Sequence, residues 1–514
     1  MEKYLYGASV QGIQGFIFQT NQLEYISGAS ELVENICTKL FEEVVGKAAF
    51  NKKNVVIQAA GNVKYVFDSR KDCANVVLRF PRKVLEAAPG ITFSQAVVAF
   101  SDDNDFHNAI NALEQKLKAQ RNRQQPPLEM GMLGCQRDTR TGLPAIETEG
   151  NKLIDAATNA KRRAAKGHRL LVKCLWGDER NKPADFKLTE TRDFHQLKGD
   201  NDWVAIVHID GNGLGNVVQH LGKDRERFNL FSQLLDKATT KAANEAFQCL
   251  CDRFEIDLDK LPLCPVVLGG DDLTVIIRGE FALPYAEKFI ETFEQETGKA
   301  DMKALLKDAG MTCLTACGGI AYIKASFPFF YGYNLAEDLC KAAKDDAKAK
   351  DATNVPSCLM FHKVQDSFVR GYSDIRKREL DINSRKKNDD NSKKVAEEEQ
   401  KTLCFGPYYL KEQTGYWMIK DLNNREEQLA KPVNGGLKTG IRQWLTLLHE
   451  NDEAAKQRKE RLKDIADAKE LLGVLTQGEK RKSEDKSGNE QVWTHIPAYD
   501  VLALHTIKHQ KTNH

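Results

Sequence analysis

The chain has 514 residues, of which 41% are hydrophobic and 29% charged, and its 75 Lys and Arg against 73 Asp and Glu leave a net charge of +2. That length exceeds a single hydrophobic core and implies three or four units, and the near balance of charge does not announce a nucleic-acid binder. With no run of about 18 apolar residues and no apolar centre in the opening Met1–Tyr6, a membrane span and a signal peptide are excluded, so the chain is expected to be cytoplasmic.

Residues 1–125 alternate strand and helix signals. Tyr4–Val10 reads as a strand, Ile13–Leu40 as mostly helical, and Val55–Ala59 with Val63–Asp68 as a hairpin across Ala60, Gly61 and Asn62. A helix around Val84–Ala88 is stopped by Pro89 and Gly90, and Thr92–Phe100 is another strand. The order is a ferredoxin-like βαββαβ. Residues 126–200 form a helical and loop insert. In it Lys152–Lys166 reads as a helix, and the run Lys161, Arg162, Arg163 is either a contact for RNA or nucleotide phosphate or an ordinary solvated face.

Residues 201–365 repeat the βαββαβ order. Residues 366–407 are a charged linker or mobile loop, because 376–378, 384–390 and 397–399 offer almost nothing apolar to bury. Residues 408–514 read as a helical bundle: Trp444, Leu445, Leu447 and Leu448, then Ile465, Leu471, Leu472 and Leu475, then Val492–Leu504, broken by the polar tract Lys480–Gly488. No acid or His cluster stands out there, so packing against another domain or a partner subunit is expected. The chain as a whole is α+β. Its 12 cysteines lack the paired spacing of a zinc knuckle and are expected to be buried free thiols.

Two stretches in 201–365 carry chemistry. Pro265–Arg278 holds two β-branched apolar runs around Gly269, Gly270, Asp271 and Asp272, the pattern of a hairpin whose tip bears two adjacent carboxylates. Alone, this fits an ordinary acidic turn equally well. Upstream, Trp203–Asp210 is a buried strand ending in Asp210, followed by Gly211, Asn212, Gly213 and a helix near Asn216. A carboxylate at the C-terminal end of a strand, beside a Gly-rich loop and a helix N-terminus, is where open α/β sheets hold anionic ligands. Laid side by side, the two stretches put Asp210, Asp271 and Asp272 at one edge. They form a hard-oxygen cage for two divalent ions able to clamp a phosphoryl transfer. His208, two residues before Asp210, is expected to be a packed core histidine rather than a catalytic one.

These motifs resemble the second palm domain of the large subunit of type III CRISPR effector complexes, a relative of the GGDEF and class III nucleotidyl cyclases. The similarity continues through Thr315–Ile323, Phe327–Tyr331, Leu335–Lys344 and Ser357–His362; Val10–Phe18, Gly28–Ser30, Ala59–Phe67 and Pro127–Gly134 resemble the first palm. The resemblance implies two palm domains, with 1–125 catalytically silent and 201–365 bearing the active site. It implies ATP as substrate, Mg²⁺ or Mn²⁺ as two metal ions, and cyclic oligoadenylate as product. Asp210, Asp271, Asp272 and the Gly211 carbonyl would hold metal; Gly211, Gly269, Gly270 and Lys344 would bind nucleotide. As one Lys among Lys341, Lys348 and Lys350, Lys344 fits a solvated helix face equally well. Implied partners are CRISPR effector subunits with guide RNA and target RNA. The family's zinc-binding insert is not expected, since only Cys135 remains there, and neither is its His-Asp nuclease, since none of the 11 histidines precedes an Asp.

Two other readings stay open: a free-standing cyclase making a cyclic dinucleotide, and a non-catalytic scaffold of an RNA-guided complex.

Overall fold

A computed structural model describes the chain except for residues 1, 60, 102–104, 124–133, 184–201, 222–223, 257–260, 367–370, 383–399, 466–468, 485–489 and 510–514. Of the segments named above, Ala60, 126–133 and 184–200 of the insert, 367–370 and 383–399 of the expected linker and 485–488 of the polar tract lie outside the described residues.

The first sheet is built from β1 (Lys3–Gln11), β2 (Val55–Ala59), β3 (Asn62–Phe67) and β4 (Thr92–Phe100) in the order β2-β3-β1-β4. The pairs β1–β3, β1–β4 and β2–β3 are antiparallel. Its crossovers are α1 (Leu23–Asn35), which runs on through Ile36–Leu40, and α2 (Arg70–Ala87), whose N-cap Ser69 accepts from the Asp72 amide. This second crossover is much longer than the sequence pattern implies, because Pro81 sits within it without ending it. Phe41, Phe80 and Tyr65 meet edge to face beneath the sheet.

The insert differs from its sequence pattern. Lys152–Asp155 is not helical but a strand, β6, paired antiparallel with β5 (Ala145–Glu149). Only Ala156–Ala165 forms the helix α3, capped by Asp155, whose carboxylate accepts from the amides of Ala157 and Thr158. Two of the three basic residues on α3 are tied into the structure, while Arg163 remains exposed. Lys161 is 3% exposed and donates to the Phe16 carbonyl at 2.6 Å and to Gln19 at 2.9 Å. Arg162 pairs with Glu147 and Glu149, each at 3.1 Å. A further helix, α4 (Arg169–Trp176), follows.

The second sheet uses β7 (Trp203–Gly211), β8 (Leu263–Gly269), β9 (Asp272–Arg278), β10 (Ala316–Lys324) and β11 (Cys358–Lys363), with the two-residue β13 (Tyr408–Tyr409) at its edge. The order is β13-β11-β10-β7-β9-β8. Its β10-β7-β9-β8 core repeats the β4-β1-β3-β2 order of the first sheet. The connecting helices are α5 (Leu214–Leu221), α6 (Arg225–Arg253), α7 (Gly279–Thr297) and, between the parallel β10 and β11, α8 (Phe329–Lys350). Strands buried on both faces need continuous apolar runs, and Val204–Val207, Val275–Ile277 and Ile320–Ile323 are essentially without exposure.

By its internal contacts the chain divides into two compact units. The first comprises 1–197, 210–276 and 288–315, and so contains both hairpin turns. The second comprises 198–209, 277–287 and 316–514. On either side of the undescribed 383–399, Tyr372, Ile375, Leu380, Ile382, Leu403 and Phe405 are buried.

The C-terminal part carries the expected helices, including α9 (Ile419–Ala430), α10 (Gly435–Glu450) and α11 (Ala498–His509), and also a three-stranded sheet that helical periodicity misses. Part of the polar tract is the strand β14 (Glu479–Glu484), antiparallel to β15 (Glu490–His495), which pairs in parallel with β12 (Gln400–Thr402). Val492–His495 is therefore strand, and the last helix begins at Ala498. The reason is tertiary. Arg481 is 8% exposed, donates to the carbonyls of Phe405 at 2.6 Å and Gly415 at 3.0 Å, and lies 3.8 Å over the Tyr416 ring.

Candidate active site

Asp210 stands next to last on β7, Asp271 in the β8–β9 turn, and Asp272 first on β9. The strands lie side by side, so three carboxylates far apart in sequence converge: one oxygen of each lies within 4.8 Å of the others, and all three residues are half-buried. At that spacing each pair of charges repels by about 3 kcal/mol at an effective dielectric constant of about 20. Holding them ionised together favours a multivalent cation, and a set made only of carboxylate oxygens suits Mg²⁺ or Mn²⁺.

The backbone around the acids is fixed from several directions. Gly211 has to lack a side chain: a Cβ there would stand 2.8 Å from the Asp271 Cβ and 3.0 Å from its Oδ2. Gly270 turns the hairpin at φ +63°, a conformation that costs glycine nothing. Its carbonyl accepts from Thr239 Oγ1 on α6 at 2.6 Å, and the Leu268 carbonyl accepts from Lys173 Nζ on α4 at 3.4 Å. Lys173 is itself held by Asp236 at 2.8 Å. Past Gly211, Asn212 is 1% exposed; its backbone N–H donates to the Thr315 carbonyl at 2.8 Å and its side-chain Nδ2 to Thr315 Oγ1 at 3.0 Å. The supports Thr239, Lys173, Asn212 and Thr315 carry no motif of their own, and no spacing in the sequence singles them out.

The remaining candidates fall as follows. Gly269 is buried at the end of β8 and Gly270 half-buried beside it. Lys344 lies on α8 and is half-buried, whereas Lys341, Lys348 and Lys350 on the same helix are exposed. His208 packs edge to face on Tyr333, with ring centroids 5.9 Å apart. The twelve cysteines are all free thiols. Among the described residues no helix is long and apolar enough to cross a membrane.

The expectation that the C-terminal region holds no acid or His cluster is not met. Glu426 on α9 and His505 and His509 on α11 bring three potential ligand atoms within 4.8 Å of one another. The His pair at i and i+4 was visible in the sequence; the Glu, 79 residues before His505, was not.

Residues 203–354 match the family model described as Cas10/Cmr2, second palm domain. No curated protein matches the chain in sequence. Among solved structures, it resembles a chain of the Csm1-Csm4 cassette in complex with cA4, with TM-score 0.54 and 12% identity over 99% of this chain and 70% of that one. The cassette in complex with cA3 gives TM-score 0.52 and 12% identity over 99% and 69%. The cassette in complex with pppApA gives TM-score 0.44 and 14% identity over 67% of this chain, which spans only 53% of that one. At such identities the likeness speaks for the fold. The sequence match assigns residues 203–354 to the Cas10/Cmr2 second palm domain, and the rest of the chain shares its fold with the Csm1-Csm4 cassette structures.

Proposed function

We propose that the chain is a nucleotidyltransferase that joins ATP into cyclic oligoadenylate. The observation that carries this reading is the convergence of Asp210, Asp271 and Asp272 at one end of a Cas10/Cmr2 second palm. In each step the 3′-hydroxyl of one nucleotide attacks the α-phosphorus of the next. A new P–O bond forms, the bond to the β-phosphate oxygen breaks, pyrophosphate leaves with the electron pair, and the hydroxyl proton passes to solvent. A last attack by the terminal 3′-hydroxyl on the 5′ α-phosphorus closes the ring.

Asp210, Asp271 and the Gly211 carbonyl would hold one divalent ion, and Asp272 the second, or else orient the attacking hydroxyl. Bound Mg²⁺ or Mn²⁺ neutralises triphosphate charge and makes the hydroxyl more acidic. The chain's own part is to keep its acids at fixed spacing, with Gly211 open enough for that and the Gly269–Gly270 backbone beside the phosphates. Lys344, the half-buried member of its helix's lysines, would contact the triphosphate. The first sheet, which has no acid at its hairpin, would serve as a silent second face. Effector subunits would be its partners, in keeping with the Csm1-Csm4 cassettes; guide RNA and target RNA come from the family resemblance alone.

The test is to incubate the protein with each NTP and Mg²⁺ or Mn²⁺, with and without guide and target RNA, and to resolve products by chromatography and mass spectrometry. Pyrophosphate and cyclic oligoadenylate from ATP, lost in Asp271→Ala/Asp272→Ala, are expected. A cyclic dinucleotide would point to the free-standing cyclase. No pyrophosphate from any NTP under all conditions would leave the scaffold.

A further inference from the structure

The Glu426, His505 and His509 cluster lies in the second compact unit and takes no part in the chemistry proposed above. It is made by two helices. On α11, His505 and His509 are one turn apart, so their rings share a face, with centroids 4.7 Å apart. On α9, Glu426 points at them: its Oε1 is 3.0 Å from His505 Nδ1 and 3.0 Å from His509 Nε2. The other oxygen, Oε2, is 3.0 Å from Lys508 Nζ, which also donates to Asn423 at 3.3 Å. Burial of Leu422 and Leu429 on α9 and of Val501, Leu504 and Ile507 on α11 fixes both helices.

We propose that Glu426 Oε1, His505 Nδ1 and His509 Nε2 form a binding site for a borderline divalent transition ion, Zn²⁺ in the first instance. Bonds of about 2.1 Å place neighbouring ligands about 3.0 Å apart in octahedral and about 3.4 Å apart in tetrahedral geometry. The 3.0 Å edges fall at that spacing before any movement, and rotation of the rings suffices to open them. Two imidazoles and one carboxylate form a donor set that suits Zn²⁺ and not Mg²⁺. The division of labour at Glu426 also fits. Lys508 occupies Oε2, which satisfies that oxygen and leaves Oε1 to bind through a single atom. Glu426 is 1% exposed and His505 8%, while the side chain of His509 is 47% exposed, so the site opens to solvent on one side. Water can fill the remaining coordination positions from there. An ion at this place would tie the last turn of α11 to α9, a bond between helices rather than a reaction centre.

The test uses the full chain carrying Asp271→Ala and Asp272→Ala, so that the palm triad is broken, stripped with chelator and titrated with Zn²⁺ and with Co²⁺. One ion per chain is expected, with a rise in Tm on Zn²⁺ addition and visible Co²⁺ absorption of the kind nitrogen ligands give. Adding His509→Ala, a substitution at the exposed member that leaves the core intact, should weaken binding at least tenfold and remove the Tm rise. Lys508→Met, which removes the neighbouring positive charge, should bind as tightly or more so. The proposal is overturned if the parent binds no Zn²⁺ at micromolar concentration, or if His509→Ala binds as well as the parent. Neither result bears on the nucleotide reading, which stands or falls on the other acids.

Discussion

The two hairpins of the chain share a topology and differ in what they hold. In the first sheet, the turn between β2 and β3 runs through Gly61 and Asn62; the Val10 amide donates to the Gly61 carbonyl at 2.8 Å, and Ser9 Oγ donates to Asn62 Oδ1 at 2.9 Å. A Cβ on Gly61 would meet Ile13 at 2.7 Å, an apolar neighbour. In the second sheet, the corresponding strand end and turn bring together Asp210, Asp271 and Asp272, and a Cβ on Gly211 would meet a carboxylate side chain instead. One hairpin is closed by neutral hydrogen bonds; the other gathers three carboxylates, the donor set that the proposed function assigns to divalent ions. A shared fold therefore does not make a shared site, and a few side chains at one turn decide the chemistry.

The strongest way to break this comparison is to remove the acids. Asp271→Ala/Asp272→Ala should lower pyrophosphate release from ATP by roughly a thousandfold while the thermal unfolding curve is retained, since removing charge stabilisation of a transferring phosphoryl group has effects of that order. Asn62→Ala in the first hairpin should leave turnover within about twofold. Equal losses at the two hairpins would refute a silent first palm.

Gly211→Val should come next. It forces Asp271 off its place, so turnover is expected to fall by one to two orders of magnitude, about 1.4–2.8 kcal/mol in transition-state terms. Gly61→Ala should instead cost stability, about 1–2 kcal/mol for a side chain at φ +79° against Ile13, with turnover per folded molecule nearly unchanged. Urea unfolding and steady-state assays on both variants separate the two roles. Adding an acid sharpens the contrast: Asn62→Asp should confer no measurable Mn²⁺ binding in calorimetry, because its neighbours Ser9 and Val10 offer no second carboxylate.

Lys344→Ala should raise KM for ATP severalfold with kcat little changed, and Lys348→Ala should do neither. The smallest effect at neutral pH lies away from both hairpins. Burial holds the His362 imidazole down at about 4 and that of His495 at about 3. Both are neutral in the folded protein, whereas the unfolded chain protonates them near 6.5. Their folded values are depressed, so protons bind the unfolded state more strongly. Stability is unaffected above about 6.5 and falls as pH drops from there toward 4. His362→Phe should flatten part of that fall, seen as a smaller loss of urea midpoint between pH 7 and pH 4.5.

Much of the site was legible from local patterns. The apolar runs 203–209 and 273–278 announced buried strands, and Gly269 to Asp272 announced a turn bearing acids. Both readings depend only on neighbours in the chain. The basic run at Lys161 misled because its Nζ finds the Phe16 carbonyl, 145 residues away in sequence. The tract at Lys480 misled for the same reason: Arg481 is buried against carbonyls of Phe405 and Gly415. A charge with a distant partner looks identical, in sequence, to a charge facing water.

The sequence by itself determined the buried strands, the acid-bearing turn and the βαββαβ order that carries them, because periodicity and turn chemistry are local. Only the tertiary structure decided that Asp210 meets Asp271 and Asp272, that Thr239 and Asn212 steady the backbone around them, and that Glu426 lies against His505 and His509. Those contacts join segments tens of residues apart, and their formation depends on strand order and helix packing, which no local pattern encodes.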